Sequence, residues 1–82
     1  MDIKKKVGAR IKELRLEMKI SQETLAGLAE IDRTYMTSVE NGRRNISIIS
    51  LEKIIKALDI TPQEFFMNEL FNGTTKKVKK TR

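Results

Sequence analysis

The sequence contains no cysteine and no histidine, and it has a single proline among 82 residues. Without cysteine, neither a disulfide framework nor thiol chemistry is possible. Without histidine, the chain lacks the most common general base and the most common transition-metal ligand. Its acidic residues do not cluster at metal-ligand spacing either, so we expect no metal, no cofactor and no enzymatic activity.

Long apolar runs are absent as well. None approaches the length of a membrane span or of a signal-peptide core, so we expect a cytoplasmic protein that does not associate with membranes. A chain of 82 residues with no long polar tract predicts one small domain. A core of this size is only marginally stable in a monomer, so we expect self-association to add buried area.

The formal net charge of +6 suggests a polyanionic partner, but the charge is unevenly distributed. Five positive charges lie together near the C-terminus with no acid among them: Lys76, Lys77, Lys79, Lys80 and Arg82. Residues 1–75 hold the other twelve basic side chains and all eleven acidic ones, a net of only +1. We therefore predict a folded domain at 1–73 and a disordered basic tail at 74–82. The tail either adds non-specific attraction to phosphates or only improves solubility.

Apolar residues at helical spacing predict two helices in the first third of the chain. The first covers residues 1–19, and its stripe consists of Ile3, Val7, Ile11, Leu14 and Met18. Gly8 weakens this helix, and close packing against another element is a reason for it to be there. The second helix begins after Ser21, its expected N-cap, and its apolar side consists of Leu25, Ala26, Leu28 and Ala29.

The third predicted helix is the stretch around which the chain is organised. Asp32 is its expected N-cap, and Asn41 with Gly42 ends it. Met36 and Val39 share one face, which we expect to meet the core. The opposite face carries side chains that can hydrogen-bond to base edges and phosphates: Arg33, Thr34, Thr37, Ser38 and Asn41. Taken alone, this pattern fits a solvated amphipathic helix equally well.

The second and third helices are joined by about three residues, which is the helix-turn-helix arrangement. Six apolar residues stand where this motif needs inward-facing side chains: Leu25, Ala26, Ala29, Ile31, Met36 and Val39. Glu30 departs from the pattern, because the turn commonly has glycine at this position with positive φ. A glutamate in that conformation would be strained by about 1 kcal/mol, so either the turn differs slightly here or the packing around it absorbs the strain.

Two further helices are predicted in the second half of the chain. Ser47 is the expected N-cap of the fourth, whose stripe consists of Ile48, Leu51, Ile54, Ile55 and Leu58. Thr61, Pro62 and Glu64 form a full start signal for the fifth, including a capping box. We expect this helix to run for about ten residues.

The fifth helix has more apolar residues than one side can bury: Phe65, Phe66, Met67, Leu70 and Phe71. Either it is a fully buried terminal helix, or part of it faces a second chain. We expect the second arrangement, in which a dimer interface is formed by Ile60, Phe65, Phe66 and Leu70.

These residues resemble a known family. The chain resembles the xenobiotic-response-element and lambda-repressor class of helix-turn-helix proteins. The residues that carry this resemblance are the Ser-Gln-Glu-Thr-Leu-Ala sequence at 21–26, the third helix, and Ser47, Leu51 and Ile54. Within that class, the chain is more similar to the controller proteins of restriction–modification systems. This closer resemblance rests on the Asp-Arg-Thr-Tyr sequence at 32–35, Arg44-Asn45, Ser47 and Phe65-Phe66. The resemblance covers roughly residues 6–71 and implies an all-α, five-helix, lambda-repressor-like domain that forms a homodimer through its last two helices.

The family resemblance also implies a function. Such a dimer binds palindromic double-stranded operator DNA upstream of its own gene and of the endonuclease gene. It activates transcription at low occupancy and represses when a second dimer fills the adjoining site, so the expected partners are operator DNA, further copies of the chain and RNA polymerase.

Individual DNA contacts follow by position from the same resemblance. Arg33 and Thr34 would read bases, with Tyr35 and Ser38 beside them. The other expected contacts lie against the backbone or the groove edge: Gln22, Arg43, Arg44, Asn45, Ser47 and Ser50. The forked guanidinium of Arg33 can pair with both O6 and N7 of guanine, and helices that begin at Gln22 and after Ser47 present free N–H groups to phosphates.

Two other interpretations stay open from the sequence. A phage-type or general repressor would use the same DNA-binding surface, and activation cannot be told from repression without knowing where the operator lies. An antitoxin-like adaptor would instead use the aromatic C-terminal helix to hold another protein in a 1:1 complex. That adaptor would leave Arg33 unimportant.

Overall fold

The structure is a computed structural model that describes residues 2–72. Its elements in order are α1 (Ile3–Glu17), α2 (Gln22–Ala29), α3 (Arg33–Glu40), α4 (Ile48–Ala57), α5 (Pro62–Phe66) and a 3-10 helix (Glu69–Phe71). All regular secondary structure in this range is helical, which confirms the predicted fold class. None of the described helices has the length and apolar character needed to cross a membrane. Gly73 and the tail predicted at 74–82 lie outside the described residues.

Every helix begins at a residue whose side-chain oxygen accepts an N–H of the first turn. The predicted caps are confirmed at Ser21, Asp32, Ser47 and Thr61. Thr61 and Glu64 form the predicted capping box, in which a carboxylate oxygen of Glu64 accepts the N–H of Thr61 at 2.9 Å. Asp2 caps α1, which is why this helix begins at Ile3.

Three helices end at a residue other than glycine in the left-handed conformation. Lys19, Glu30 and Asp59 follow α1, α2 and α4 with φ of 59°, 57° and 61°. An isoleucine comes next each time, and its N–H donates back to a carbonyl of the last turn: Ile20 to Arg15, Ile31 to Ala26 and Ile60 to Ile55. Glu30 thus adopts the positive φ that is usual for glycine in this turn, and the same strain of about 1 kcal/mol recurs at two other helix ends.

The core lies where α1 to α4 meet. It is formed by Val7, Ile11, Leu25, Ala26, Ala29, Met36, Val39, Ile54, Ile55, Leu58 and Phe65. α1 crosses α3 at Gly8, where a Cβ would lie 2.8 Å from the carbonyl oxygen of Glu40 and closer still to that of Val39. The close packing predicted for Gly8 is confirmed, because any side chain here would push the two backbones apart.

The predicted apolar stripes extend beyond the core. Ile3 and Met18, at the two ends of the first stripe, are exposed, and so is Leu28 on α2. Leu28 lies nearly opposite Ala26 on the helix, so both cannot face the core together. Ile48, at the first position of α4, is 83% exposed. These apolar side chains therefore lie on the surface, where another molecule could contact them.

The fifth helix is shorter than predicted, and the expectation of one continuous helix through Phe71 is wrong. α5 ends at Phe66, and Met67 leaves the helical conformation with ψ of 79°. The side chain of Asn68 then accepts the N–H of Leu70 at 2.9 Å and caps the 3-10 helix. The break turns Phe71 back against the core.

Arg10 of α1 stabilises this early ending. Its guanidinium Nε donates to the carbonyl of Phe65 at 2.7 Å, and its Nη2 donates to that of Glu64 at 2.9 Å. The last carbonyls of a helix have no partner within the helix, so an outside donor is needed. Glu13 accepts from the remaining Nη1 at 2.9 Å. Arg10 thereby fastens α5 to α1.

Candidate nucleic-acid interface

The first two residues of α3 are exposed, and the start of the helix is held in a defined position. Asp32 accepts the N–H groups of Thr34 and Tyr35 at 2.9 and 3.2 Å, which fixes the start of the helix. Arg33 and Thr34 are exposed, while the opposite side of α3 is anchored in the core. Among the ion pairs of the described residues none involves Arg33, so its guanidinium projects free from the end of α3.

The loop that follows α3 returns to the side of the same helix. The guanidinium carbon of Arg44 lies 4.9 Å from the ring centre of Tyr35, a cation–π contact. Two residues predicted to contact DNA are thereby brought together. Ser38, half-buried, lies one turn after Thr34 on the same helix.

Gln22, at the first position of α2, is brought against α3. Its amide nitrogen donates to Oε1 of Glu40 at 2.9 Å, and its amide oxygen accepts the hydroxyl of Thr37 at 2.8 Å. That hydroxyl also lies 3.1 Å from the carbonyl oxygen of Arg33. Gln22, a predicted DNA contact, is thus hydrogen-bonded at both ends of its amide inside the chain, which leaves one amide proton for an outside acceptor.

The remaining predicted contacts lie between α3 and α4 and at the start of α4. Three of them are exposed and the last is half-buried: Arg43, Asn45, Ser47 and Ser50. The hydroxyl oxygen of Ser47 accepts the N–H of Ser50 at 3.0 Å as the cap of α4. The hydroxyl proton of Ser47 is not used by this cap and can still be donated.

The first turn of α1 packs against this loop. Gly42 has the predicted left-handed conformation with φ of 75°, and a Cβ there would lie 3.0 Å from the Cα of Lys5. Lys4 lines the same groove as Asn45. Lys4 and Lys5 therefore stand beside the loop that carries Arg43 and Arg44, and this end of the molecule is rich in positive charge.

A buried ion pair holds the end of α3, and the sequence analysis missed it. Nε of Arg15 lies 2.7 Å from Oε2 of Glu40, and Nη2 lies 3.0 Å from Oε1. Both residues are buried. A signal was present, because Arg15 follows Ile11 by four residues and Glu40 follows Met36 by four, so both charges stand in the apolar stripes.

The predicted dimer interface needs one correction. Phe65 is completely buried in the core of the single chain, so its side chain cannot face a partner. Ile60 is half-buried and packs on the same core. Phe66, whose ring meets that of Phe65 edge-on at 4.9 Å, is 41% exposed, and Leu70 is half-buried. The short α5 can turn only one of its two phenylalanines inward.

An apolar groove adjoins Phe66. It has a volume of about 410 Å³ and is lined by Ile3, Lys4, Val7, Asn45, Ile46, Leu51 and Phe66. Ile48 precedes Leu51 by one helical turn and extends the apolar surface at the rim. Three exposed apolar residues, Ile3, Ile48 and Phe66, thus lie in or beside one groove, which we call the Phe66 groove.

This geometry is that of a helix-turn-helix unit. α2 and α3 are joined by a short turn through Glu30, and the start of α3 stands exposed at the surface. The Helix-turn-helix family model matches residues 11–65, and the chain belongs to this family.

Several of its relatives are control or controller proteins. The control protein C.MunI of Mycoplasma sp is 48% identical over 66 residues, 79% of this chain and 89% of that protein. The restriction–modification controller protein C.AhdI of Aeromonas hydrophila has a crystal structure with a TM-score of 0.76 at 45% identity, covering 80% of this chain and 100% of that one. The controller protein C.Esp1396I, solved as a tetramer with its natural 35-base-pair operator, gives a TM-score of 0.76 at 41% identity, with 80% and 87% covered. These likenesses confirm the predicted resemblance to restriction–modification controllers.

Proposed function

We propose that this chain is a sequence-specific DNA-binding regulator that controls a restriction–modification system by binding a near-palindromic operator as a homodimer. One observation carries the proposal: the capped first turn of α3 projects Arg33 and Thr34 into solvent while the rest of the helix is fixed in the core. An α-helix fits the major groove of DNA, and the side chains near its N-terminus are those that reach the base edges.

Base reading is assigned to Arg33 and Thr34. The guanidinium of Arg33 can donate to both O6 and N7 of one guanine, a contact worth about 1–3 kcal/mol of discrimination against another base. Thr34 can offer its methyl group to thymine or its hydroxyl to a base or phosphate. Ser38, one turn further on, lies beside them.

Backbone contacts are assigned to the residues around this reading end. Arg44 lies against Tyr35, and a guanidinium beside a phenolic hydroxyl suits a phosphate, which accepts several hydrogen bonds. The other proposed backbone contacts are Gln22, Arg43, Asn45, Ser47 and Ser50. Such contacts fix the register of the protein on the duplex and carry no sequence information of their own.

A second copy of the chain is proposed to cover the Phe66 groove. Its exposed apolar residues are those that a small domain would bury by dimerisation. A two-fold dimer would place its two α3 helices about 34 Å apart, one turn of DNA. Since the similar C.Esp1396I is a tetramer on its natural operator, we propose two dimers on adjoining sites. If the bound dimer activates transcription, it also contacts RNA polymerase. We propose that the protein acts in the cytoplasm.

The test is a selection from random double-stranded DNA with the full chain. We expect enrichment of a site with two inverted half-sites whose centres lie about one DNA turn apart. A stoichiometry of two chains per enriched site, measured by sedimentation, would complete the result. No enrichment of any sequence, or enrichment of a single unrepeated half-site bound by one chain, would contradict the proposal.

A further inference from the structure

Four side chains from three helices form one continuous hydrogen-bonded network. Arg15 at the end of α1 donates twice to Glu40, the last residue of α3. Oε1 of Glu40 also accepts the amide of Gln22, and the oxygen of that amide accepts the hydroxyl of Thr37. The network starts in the interior and ends at the proposed DNA surface.

This network leaves the Gln22 amide a single orientation. An ionised carboxylate only accepts hydrogen bonds, so Glu40 must face the NH₂ group of Gln22 and not its oxygen. The hydroxyl of Thr37 lies 2.8 Å from the Gln22 oxygen and 3.1 Å from the carbonyl oxygen of Arg33, and donation along the shorter contact fits the same orientation. If the amide were turned over, its oxygen would face the carboxylate and two acceptors would be opposed. One N–H of Gln22 thus donates to Glu40, and the second N–H points away from the carboxylate.

We propose that Glu40 is a positioning residue for DNA binding: it orients the Gln22 amide so that the second N–H is presented to a phosphate. The inference rests on the proposed function. Glu40 does not touch DNA itself, because its side chain is only 1% exposed. It acts through Gln22, which is half-buried at the surface end of the network.

Arg15 neutralises the negative charge of Glu40, which lies directly behind the proposed DNA contact Gln22. A negative charge directed at a DNA-contacting side chain would repel the phosphates, which carry the same sign. The bidentate contact with Arg15 at 2.7 and 3.0 Å neutralises Glu40 on its inner side. The pair therefore supplies a strong acceptor for Gln22 with no net charge facing the DNA.

The experiment is a mutant cycle in the full chain. Arg15→Met and Glu40→Leu are made together, because an apolar pair of similar size can replace a buried ion pair without loss of stability. Gln22→Ala is made alone and on that paired background, and circular dichroism checks that each variant is folded. Affinity for the selected operator is measured by fluorescence anisotropy over a range of salt concentrations.

We expect Gln22→Ala to weaken operator binding about ten- to hundredfold, the value of one hydrogen bond to a charged group. The paired variant should lose the same factor, and the triple variant should lose no more than either. The salt slope should stay that of the parent in all three, since Gln22 is neutral and releases no counterion. Arg44→Ala, which removes a charge, is the control that lowers the slope.

Four results separate the inference from the proposed function. A paired variant that is folded and binds like the parent, or losses that add in the triple variant, would overturn the positioning role of Glu40. An unaffected Gln22→Ala beside a parent that binds its operator would overturn it too, and the proposed function would stand. A parent without any sequence preference would instead refute the proposed function.

A second variant keeps the test independent of the ion pair. Thr37→Val keeps the shape of the side chain and removes the hydroxyl that donates to Gln22. If the paired variant does not fold, Thr37→Val replaces it in the cycle with Gln22→Ala. Losses that do not add support the network through which Glu40 acts, whereas losses that add show that Thr37 and Gln22 act separately and contradict that network and the inference drawn from it.

Discussion

Arg15 and Glu40 are joined by two hydrogen bonds in the interior, Nε to Oε2 at 2.7 Å and Nη2 to Oε1 at 3.0 Å. The third nitrogen of Arg15, Nη1, donates to the carbonyl of Ile20 at 2.9 Å. In the described part of the chain no buried side-chain nitrogen or oxygen lacks a hydrogen-bond partner. Every hydrogen-bonding group of this ion pair therefore has a partner. A buried ion pair is tolerated only when its remaining donors and acceptors are satisfied in this way.

Removing one partner should cost far more than removing both. Glu40→Leu leaves the Arg15 guanidinium buried and unpaired, and we expect a loss of about 3–5 kcal/mol in the free energy of unfolding. Arg15→Met together with Glu40→Leu should recover most of that loss. Urea unfolding followed by circular dichroism measures both. If Glu40→Leu alone were as stable as the double variant, the two charges would be solvated and not buried.

Two glycines should respond in opposite directions to alanine. Gly8→Ala pushes a methyl group into the backbone of α3 and should cost about 1–3 kcal/mol by overpacking. Gly27→Ala is the matched control, since its Cβ meets nothing within 4 Å, and it should gain about 1 kcal/mol of helix propensity. Urea unfolding checks both, and equal effects of the two changes would contradict the α1–α3 crossing at Gly8.

The left-handed helix ends predict a stabilising substitution. Asp59→Gly relieves the strain at φ of 61° and should raise stability by about 1 kcal/mol, seen as a higher Tm in differential scanning calorimetry. Asn41→Gly is the control, because Asn41 ends α3 with φ of −85° and carries no such strain. A gain at Asn41 equal to that at Asp59 would show that the left-handed conformation is not the cause.

The proposed dimer surface can be tested without disturbing the core. Ile48→Glu places a charge at the rim of the Phe66 groove, at a position that is 83% exposed in one chain. We expect this variant to be folded and to sediment as a monomer at micromolar concentration. Leu28→Glu, at an exposed leucine on α2 outside that groove, should keep the dimer. Dimers of unchanged stability in Ile48→Glu would argue against the Phe66 groove as the interface.

Local signals made much of this fold predictable. N-caps such as Asp32 and Ser47 act on N–H groups two or three residues away, so the sequence carries their effect directly. The early end of α5 depends instead on Arg10, which lies 55 residues from the carbonyl of Phe65. No local pattern contains that contact, and for the same reason the hydrogen bond that Gln22 donates to Glu40 could not be predicted from the sequence.

The exposed residues of the proposed DNA interface could be assigned from the sequence, whereas the contacts that hold them in place could not. Arg33 and Thr34 could be assigned because helix spacing opposes them to the core-facing residues of α3. That Arg44 would lie against Tyr35 depends on the path of a loop, which the sequence does not specify. The side chains that contact a ligand are easier to predict than the contacts that orient them.

The central claim is that α3 reads DNA bases through Arg33, and the selectivity of Arg33→Ala tests it most directly. Affinities of the parent, Arg33→Ala and Arg44→Ala are measured by fluorescence anisotropy for the selected operator and for a scrambled duplex of the same length. Arg44→Ala should weaken binding to both duplexes alike and lower the salt slope by about 1. Arg33→Ala should lose about 1–3 kcal/mol on the operator and much less on the scrambled duplex. Binding of the operator by Arg33→Ala as tightly and as selectively as by the parent would contradict the claim.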